Sequence, residues 1–366
     1  MSDSESLIAF KNKLMGYISE NYLNSTCGVS ITVDALGKNV IEYSTGKIDD
    51  LNFQYSNETL YDLASLTKPL ATTMLAMKYI EKGIIALEDK ISDFGMYKNG
   101  EKVGELTIRS LLTHSSGLIP DYPLYNYGHG KESYMKAIAA VGSNSKIYFR
   151  EEYSDINFIL LGFLLEEISG MSLDKLAKLE LYSKLGMEHT GFNPEFSKEI
   201  IAPTEMTKDR GLVWGKVHDE KAFYNGGIAG HAGLFSNIHD LRIFINALLS
   251  WKIIKKSTFN MMKEPANIYL GGMFGLGWML KLPRPYNPSV SFDYSGFMGD
   301  YANFGSIGHT GFTGTSICFD PKTGISVIIL TNRVYPSRSN LNILRFRRHL
   351  HNIVFVSADE ILKEVK

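Results

Sequence analysis

The chain reads as an α+β protein. One antiparallel β-sheet flanked by helices is built from both ends, and a mostly helical domain is inserted between them. Three observations predict this. Strand-like runs occur near 27–34 and 39–45 and return at 271–282, 312–319 and 325–331. Between them, from about 69 to 225, the pattern is helical periodicity and loop. At 366 residues the chain also exceeds what one core usually supports. The expected division is 1–68 with 228–366 as the sheet domain, and 69–227 as the helical domain.

Residues 7–24 read as an amphipathic helix, with Leu7, Ile8, Phe10, Leu14, Tyr17 and Ile18 apolar. Asp34 to Asn39 makes a hairpin-like link between the first two strands. Next comes Leu63-Ala64-Ser65-Leu66-Thr67-Lys68-Pro69, followed by an apolar helix with Leu66, Leu70, Met74, Met77 and Ile80 on one face. Pro69 lacks the N–H that would bond the carbonyl four residues back, so regular helix cannot reach much before Ser65. Further helices are expected at 106–112, 156–168, 173–185 and 240–249, the second stopped by Ser169-Gly170 and the third by Gly186.

Composition excludes several classes. A formal charge of −1 gives no electrostatic case for nucleic acid or an anionic membrane. Cys27 and Cys318 stand alone and far apart, which suggests a reducing compartment and excludes a cysteine-rich metal site. No His/Asp/Glu set has metal spacing and no Gly-rich phosphate loop follows a strand, so neither metal nor cofactor is expected. The acidic Met1 to Ser6 stretch has no signal-peptide character, and no apolar run spans a bilayer; a cytoplasmic address follows as an expectation.

Ser65 and Lys68 lie three positions apart on one helix face, a hydroxyl beside an amine at the positive end of a helix. That is a nucleophile–base spacing, and equally the spacing of a simple N-cap serine. Ser-x-x-Lys occurs five times, starting at Ser44, Ser65, Ser133, Ser143 and Ser172, but only the Ser65 copy opens a long apolar helix. A second constellation is Tyr153-Ser154-Asp155 before the 156–168 helix, where a tyrosine near a lysine shuttles protons or merely packs. A third is Gly308-His309-Thr310-Gly311 before the 312–319 run, with small residues that let a ligand or chain approach the backbone.

The order Ser-x-x-Lys, Tyr-x-Asn-like, then His-Thr-Gly resembles the serine β-lactamase and penicillin-binding-protein superfamily. The surrounding text is similar to its class C-like branch of esterases, D,D-peptidases and related hydrolases. Tyr61 to Lys68, Leu111 to Leu118, Tyr153 to Gly162 and Gly230 to Ser236 carry that likeness, across about residues 60–332. The resemblance implies a β-lactamase/transpeptidase-like fold with the cleft between sheet and helices. It implies Ser65 as acylated nucleophile, Lys68 as base and Tyr153 as proton relay. It also implies an oxyanion hole from the N–H groups of Ser65 and Phe312, and substrate contacts from Asp155, His309, Thr310 and Gly311. The expected partner is a small ester, amide or peptide substrate.

Two departures bear on specificity. The family's Tyr-x-Asn is here Tyr153-Ser154-Asp155, replacing an amide by a carboxylate that only accepts when ionised. A shifted register would put Ser154 in the relay place but apolar Ile156 where the amide belongs. His309 stands where many β-lactamases carry lysine. Lys322-Thr323-Gly324 is a literal Lys-Thr-Gly, yet after Asp320-Pro321 it reads as a hairpin tip. His114 and His231 read as structural, and Tyr122, Tyr125, Tyr127 and His129 as a loop at the cleft rim or on the bland surface.

Overall fold

The computed structural model describes residues 3–98, 100–142, 146–283 and 294–365. Helix α1 (Glu5–Asn21) starts at Ser4, whose hydroxyl accepts the Leu7 N–H, and it buries Leu7, Phe10, Leu14 and Ile18. Seven strands follow: β1 (Gly28–Ala35), β2 (Lys38–Ile48), β3 (Phe53–Gln54), β4 (Met279–Leu280), β5 (Ile307–Thr310), β6 (Ser316–Asp320) and β7 (Ile325–Thr331). They make one sheet in the order β3-β2-β1-β7-β6-β5-β4, antiparallel at every neighbouring pair. The two ends of the chain meet at its centre, where Val29 pairs with Thr331 and Ala35 with Ile325.

Both faces of β7 are buried. Val327 and Ile329 pack with Leu14, Ile18, Leu350 and Val354, whereas Ile328 and Leu330 join Leu241, Phe244 and Ile245 on the other side. That is why Val327 to Leu330 reads as an unbroken apolar run rather than an alternating one.

On the helical side lie α2 (Met74–Glu81) and α3 (Asp155–Ser169), and near the C-terminus α4 (Ile343–Val356). Residues Ile156 to Leu165 of α3 are all buried, and Gly170 ends the helix at φ +66°. Among the described residues no single helix is long and apolar enough to cross a membrane. Asp155–Ser169 and Leu173–Leu185 pass that test only together, bent by 77°.

Several elements differ from the sequence expectation. The 271–282 run yields only β4, because its glycine-rich first half turns and makes a single bridge from Phe274 to Met279. Strand β6 begins at Ser316 rather than 312, since Gly311 to Gly314 closes a tight turn through a Gly314 N–H to Gly311 carbonyl bond of 3.0 Å. The His309-Thr310 pair therefore lies on a strand of its own, β5, instead of before one. The 173–185 helix is broken into Leu173–Ala177, wide turns at Lys178–Tyr182, and Ser183–Leu185. The Ser-x-x-Lys copy at Ser143 lies outside the described residues.

Candidate active site

Ser65 sits where the Tyr61–Asp62 strand hands over to an irregular helix start. A 3-10 turn covers Ala64–Leu66, wide π-type turns cover Lys68–Thr73, and regular α-helix begins only at Met74. Pro69 accounts for this, because it offers no N–H to the Ser65 carbonyl. Ala64 carries φ +47°, a left-handed backbone steadied by Asp62 Oδ1, which accepts the Ala64 N–H at 2.8 Å. Such strain costs about 1–3 kcal/mol and persists where packing over-determines it.

Lys68 is fully buried, and its ammonium meets three acceptors. Nζ donates to Ser65 Oγ at 3.0 Å, to Asp155 Oδ1 at 2.7 Å and to the His231 carbonyl at 3.3 Å. The Tyr153 phenol is a further partner of the same ammonium. Burial alone would lower the Lys68 pKa, but the opposing pull of Asp155 and Tyr153 leaves it raised. Burial likewise pushes Asp155 up, yet Lys68, His231 and Lys221 outweigh this and hold its carboxyl below the usual range. Asp155 is thus ionised and turned onto two ammoniums, with Oδ2 3.1 Å from Lys221 Nζ.

Tyr153 completes the set. Lys68 Nζ lies 4.7 Å from its ring centroid, and the phenol shares side-chain hydrogen bonds with Lys68 and Ser65. Burial raises its pKa and Asp155 adds to the rise, against the lowering by Lys68. Ser154, the alternative relay, spends its hydroxyl on the Ile119 carbonyl at 2.7 Å. His114 fixes this segment: its Nδ1 accepts the Ser154 N–H at 3.1 Å and lies 3.1 Å from Asn157 Nδ2. Burial, then Lys68 and His309, hold His114 neutral. Its ring packs 4.5 Å from that of Tyr153, which fits the structural reading.

The facing wall is the tip of the β5–β6 hairpin. Thr313 Oγ1 donates to the Asp62 carbonyl at 2.7 Å and Thr315 Oγ1 to the Leu63 carbonyl at 3.1 Å, so these carbonyls face the hairpin. Gly311 permits the approach, since a Cβ there would lie 2.4 Å from the Leu63 carbonyl oxygen. Ser65, Tyr153, Thr310, Gly311 and Phe312 line one cleft of about 460 Å³. His309 sits one layer back, 1% exposed, its ring 6.0 Å from that of Tyr153 and its pKa pushed down to about 3 by burial and then Lys68. The Tyr122, Tyr125, Tyr127 and His129 group does not line this cleft; Tyr122 stacks on Tyr127, and Tyr125 and His129 pack on Tyr224.

The opposite wall went unread in the sequence. Met279, Phe297, Leu341 and Leu344 supply apolar surface, and Arg333, Arg347 and Arg348 supply charge. Arg347 is 4% exposed; Nη1 donates to the Thr315 carbonyl at 3.0 Å, while Nε has no partner among the described residues. Burial, with Arg333 adding to it, pushes its pKa down to about 9. The run Arg345-Phe346-Arg347-Arg348 was the available sequence signal.

This arrangement can be set against known proteins. The Beta-lactamase family matches residues 25–351. The chain belongs to the Beta-lactamase family. A putative D-alanyl-D-alanine carboxypeptidase of Escherichia coli (strain K12) is 33% identical over 314 residues, covering 75% of this chain and 69% of that protein. A protein of the same name from Salmonella typhi is 31% identical over 322 residues, covering 78% and 72%. Among solved structures, EstCE1, a hydrolase with promiscuous acyltransferase activity, superposes with a TM-score of 0.73 at 18% identity over 96% of this chain and 100% of that one. D-amino acid amidase from Ochrobactrum anthropi SV3 gives 0.69 at 19% identity over 98% of both. At these identities the structures share the fold. As a Beta-lactamase family member the chain is a serine hydrolase.

Proposed function

We propose that Ser65 is the nucleophile of an acyl-enzyme hydrolase acting on ester or amide bonds of small acyl substrates, with activated esters preferred. The observation that carries this is the Ser65–Lys68–Tyr153 set, a buried lysine beneath a half-buried serine and tyrosine, with Lys68 Nζ 3.0 Å from Ser65 Oγ. In this reading Oγ attacks the substrate carbonyl carbon and its proton passes to the Lys68–Tyr153 pair. The N–H groups of Ser65 and Phe312 hold the oxyanion. Tyr153 returns a proton to the departing oxygen or nitrogen, and water then releases the acid from Ser65. Both Lys68 and Tyr153 carry raised pKa values, so the pair must lose one proton before it can take that of Ser65. Activity therefore climbs with pH above neutrality.

Asp155 underlies the preference. Its anion holds the proton on the pair, so less of the deprotonated base is present near neutral pH. Activated leaving groups need less help from that pair than amides do. The test compares kcat/KM for p-nitrophenyl butyrate and a penicillin. Esters are expected to react at least about a hundredfold faster, roughly 2.7 kcal/mol in barrier. Asp155→Asn is expected to narrow that gap; penicillin turnover equal to ester turnover in the wild type contradicts the reading.

A second reading, D,D-carboxypeptidase action on peptides ending in a free carboxylate, is favoured by one observation. Arg347 is a buried cation in the cleft wall whose Nη1 donates to the Thr315 carbonyl. The relatives are named putative D-alanyl-D-alanine carboxypeptidases, which agrees with it. A peptide acid cleaved no faster than its carboxamide removes this reading.

A further inference from the structure

A further buried cation lies behind the Ser65 set. Lys221, on the short helix Glu220–Tyr224, is 8% exposed. Its Nζ lies 2.7 Å from Asp121 Oδ1, 3.1 Å from Asp155 Oδ2 and 4.0 Å from Asp219 Oδ2. Asp219 Oδ1 in turn meets His231 Nε2 at 2.8 Å, and the His231 carbonyl accepts from Lys68. The result is a closed network: Lys68, Asp155, Lys221 and Asp219 meet through their charged groups, and His231 joins Asp219 by its ring and Lys68 by its backbone carbonyl.

We propose that Lys221 is a positioning residue for the Ser65 reaction: it shares the Asp155 carboxylate with Lys68 and so limits how tightly that carboxylate keeps a proton on the Lys68–Tyr153 pair. The proposal rests on the acyl-enzyme reading above and deepens it.

The geometry gives the sign. One carboxylate bridges two ammoniums, Oδ1 to Lys68 and Oδ2 to Lys221. Removing the Lys221 charge leaves the full field of Asp155 on Lys68 and Tyr153, together with that of Asp219. Both changes favour the protonated pair, so its deprotonation moves to higher pH. The other groups facing this circuit do not reverse that sign. Asp121 is 79% exposed, so water screens its pull on Lys221. Tyr125 and Tyr134 face Lys221 with pKa values raised by burial, and hence stay neutral. His114 and His309 face Lys68, and burial keeps both neutral. His231, across from Asp219, completes the set. Direct contact with Asp155, 17% exposed, is thus the route by which Lys221 acts.

The test is the pH profile of kcat/KM for p-nitrophenyl butyrate in the full chain. For Lys221→Met the rising limb is expected to shift alkaline by about one pH unit, with about a tenfold loss at pH 7 and an unchanged high-pH plateau. Lys221→Arg is expected to restore the wild-type limb. In an Asp155→Asn background, Lys221→Met is expected to shift the limb by less than about a third of that amount. Lys221→Gln keeps N–H donors without charge, and serves equally if the methionine variant fails to fold. An unmoved limb overturns the proposal. So does a loss uniform across pH including the plateau, or a shift of the same size without the Asp155 carboxylate. Intact mass after acylation at high pH separates this from the underlying reading. A Ser65 adduct in both wild type and Lys221→Met leaves the acyl-enzyme intact whatever the limb does, and no adduct in the wild type defeats the acyl-enzyme itself.

Discussion

Two Thr-Gly triplets bracket the same strand, and they have opposite fates. His309-Thr310-Gly311 ends β5 and turns into β6, whereas Lys322-Thr323-Gly324 follows the far end of β6 and turns into β7. The first is pinned to the Ser65 segment through Thr313 and Thr315, and His309 is buried against Tyr153. The second is closed on itself: Asp320 accepts the Lys322 N–H at 2.9 Å and the Thr323 hydroxyl at 2.8 Å, and Lys322 is exposed. The literal Lys-Thr-Gly is a turn, and the imperfect copy faces the nucleophile. What separates them is which end of β6 meets Leu63. The triplet's letters do not.

Substitutions on the two sides should reproduce that contrast, and the nucleophile sets the scale. Ser65→Ala is expected to abolish turnover of p-nitrophenyl esters, and Lys68→Ala and Tyr153→Phe to lose on the order of 10²–10⁴-fold each. More than a few per cent residual activity in Ser65→Ala would remove the reference against which both triplets are judged.

The glycines come next. Gly311→Ala drives a methyl into the Leu63 carbonyl and Thr315 Oγ1, pushing the hairpin off the Ser65 segment. At least about a hundredfold loss of kcat/KM is expected, the scale of an ångström's misplacement. Gly324 sits at φ +71°, so Gly324→Ala is expected to lower stability by roughly 1–2 kcal/mol in a denaturant titration. Activity at 25 °C should be kept. Equal activity losses would erase the distinction.

The smallest expected effects are in the lead residues. His309→Ala leaves a cavity behind Tyr153 and is expected to lower kcat/KM by at least about tenfold, roughly 1.4 kcal/mol of barrier. Lys322→Ala, a solvated turn residue, is expected to stay within about threefold. The reverse order would mean that the wrong end of β6 had been chosen.

What was legible in the sequence follows the range of the forces involved. The α1 stripe, the Leu66-Leu70-Met74-Met77-Ile80 face and the apolar β7 run are local patterns; Leu66, Leu70, Met74 and Met77 are buried as the spacing requires and Ile80, at the end of the face, is half-buried. The Ser65–Lys68 contact was legible because three residues make nearly one helical turn, even an irregular one. Strand β5 was not, since it pairs through small and polar residues whose register is set by β6. Asp155 was read as facing substrate, but it faces two ammoniums because Lys221 arrives from a helix far along the chain. The arginine wall likewise exists only after α4 folds against the cleft.

The central claim is that Ser65, and none of the other Ser-x-x-Lys serines, forms a covalent acyl intermediate. Intact-protein and peptide mass spectrometry, after brief exposure to an activated ester and acid quench, tests it directly. The expected result is one acyl group per chain, on the peptide containing Ser65 and absent in Ser65→Ala. An adduct on another serine, or none with any acyl probe while the ester is still turned over, would contradict it.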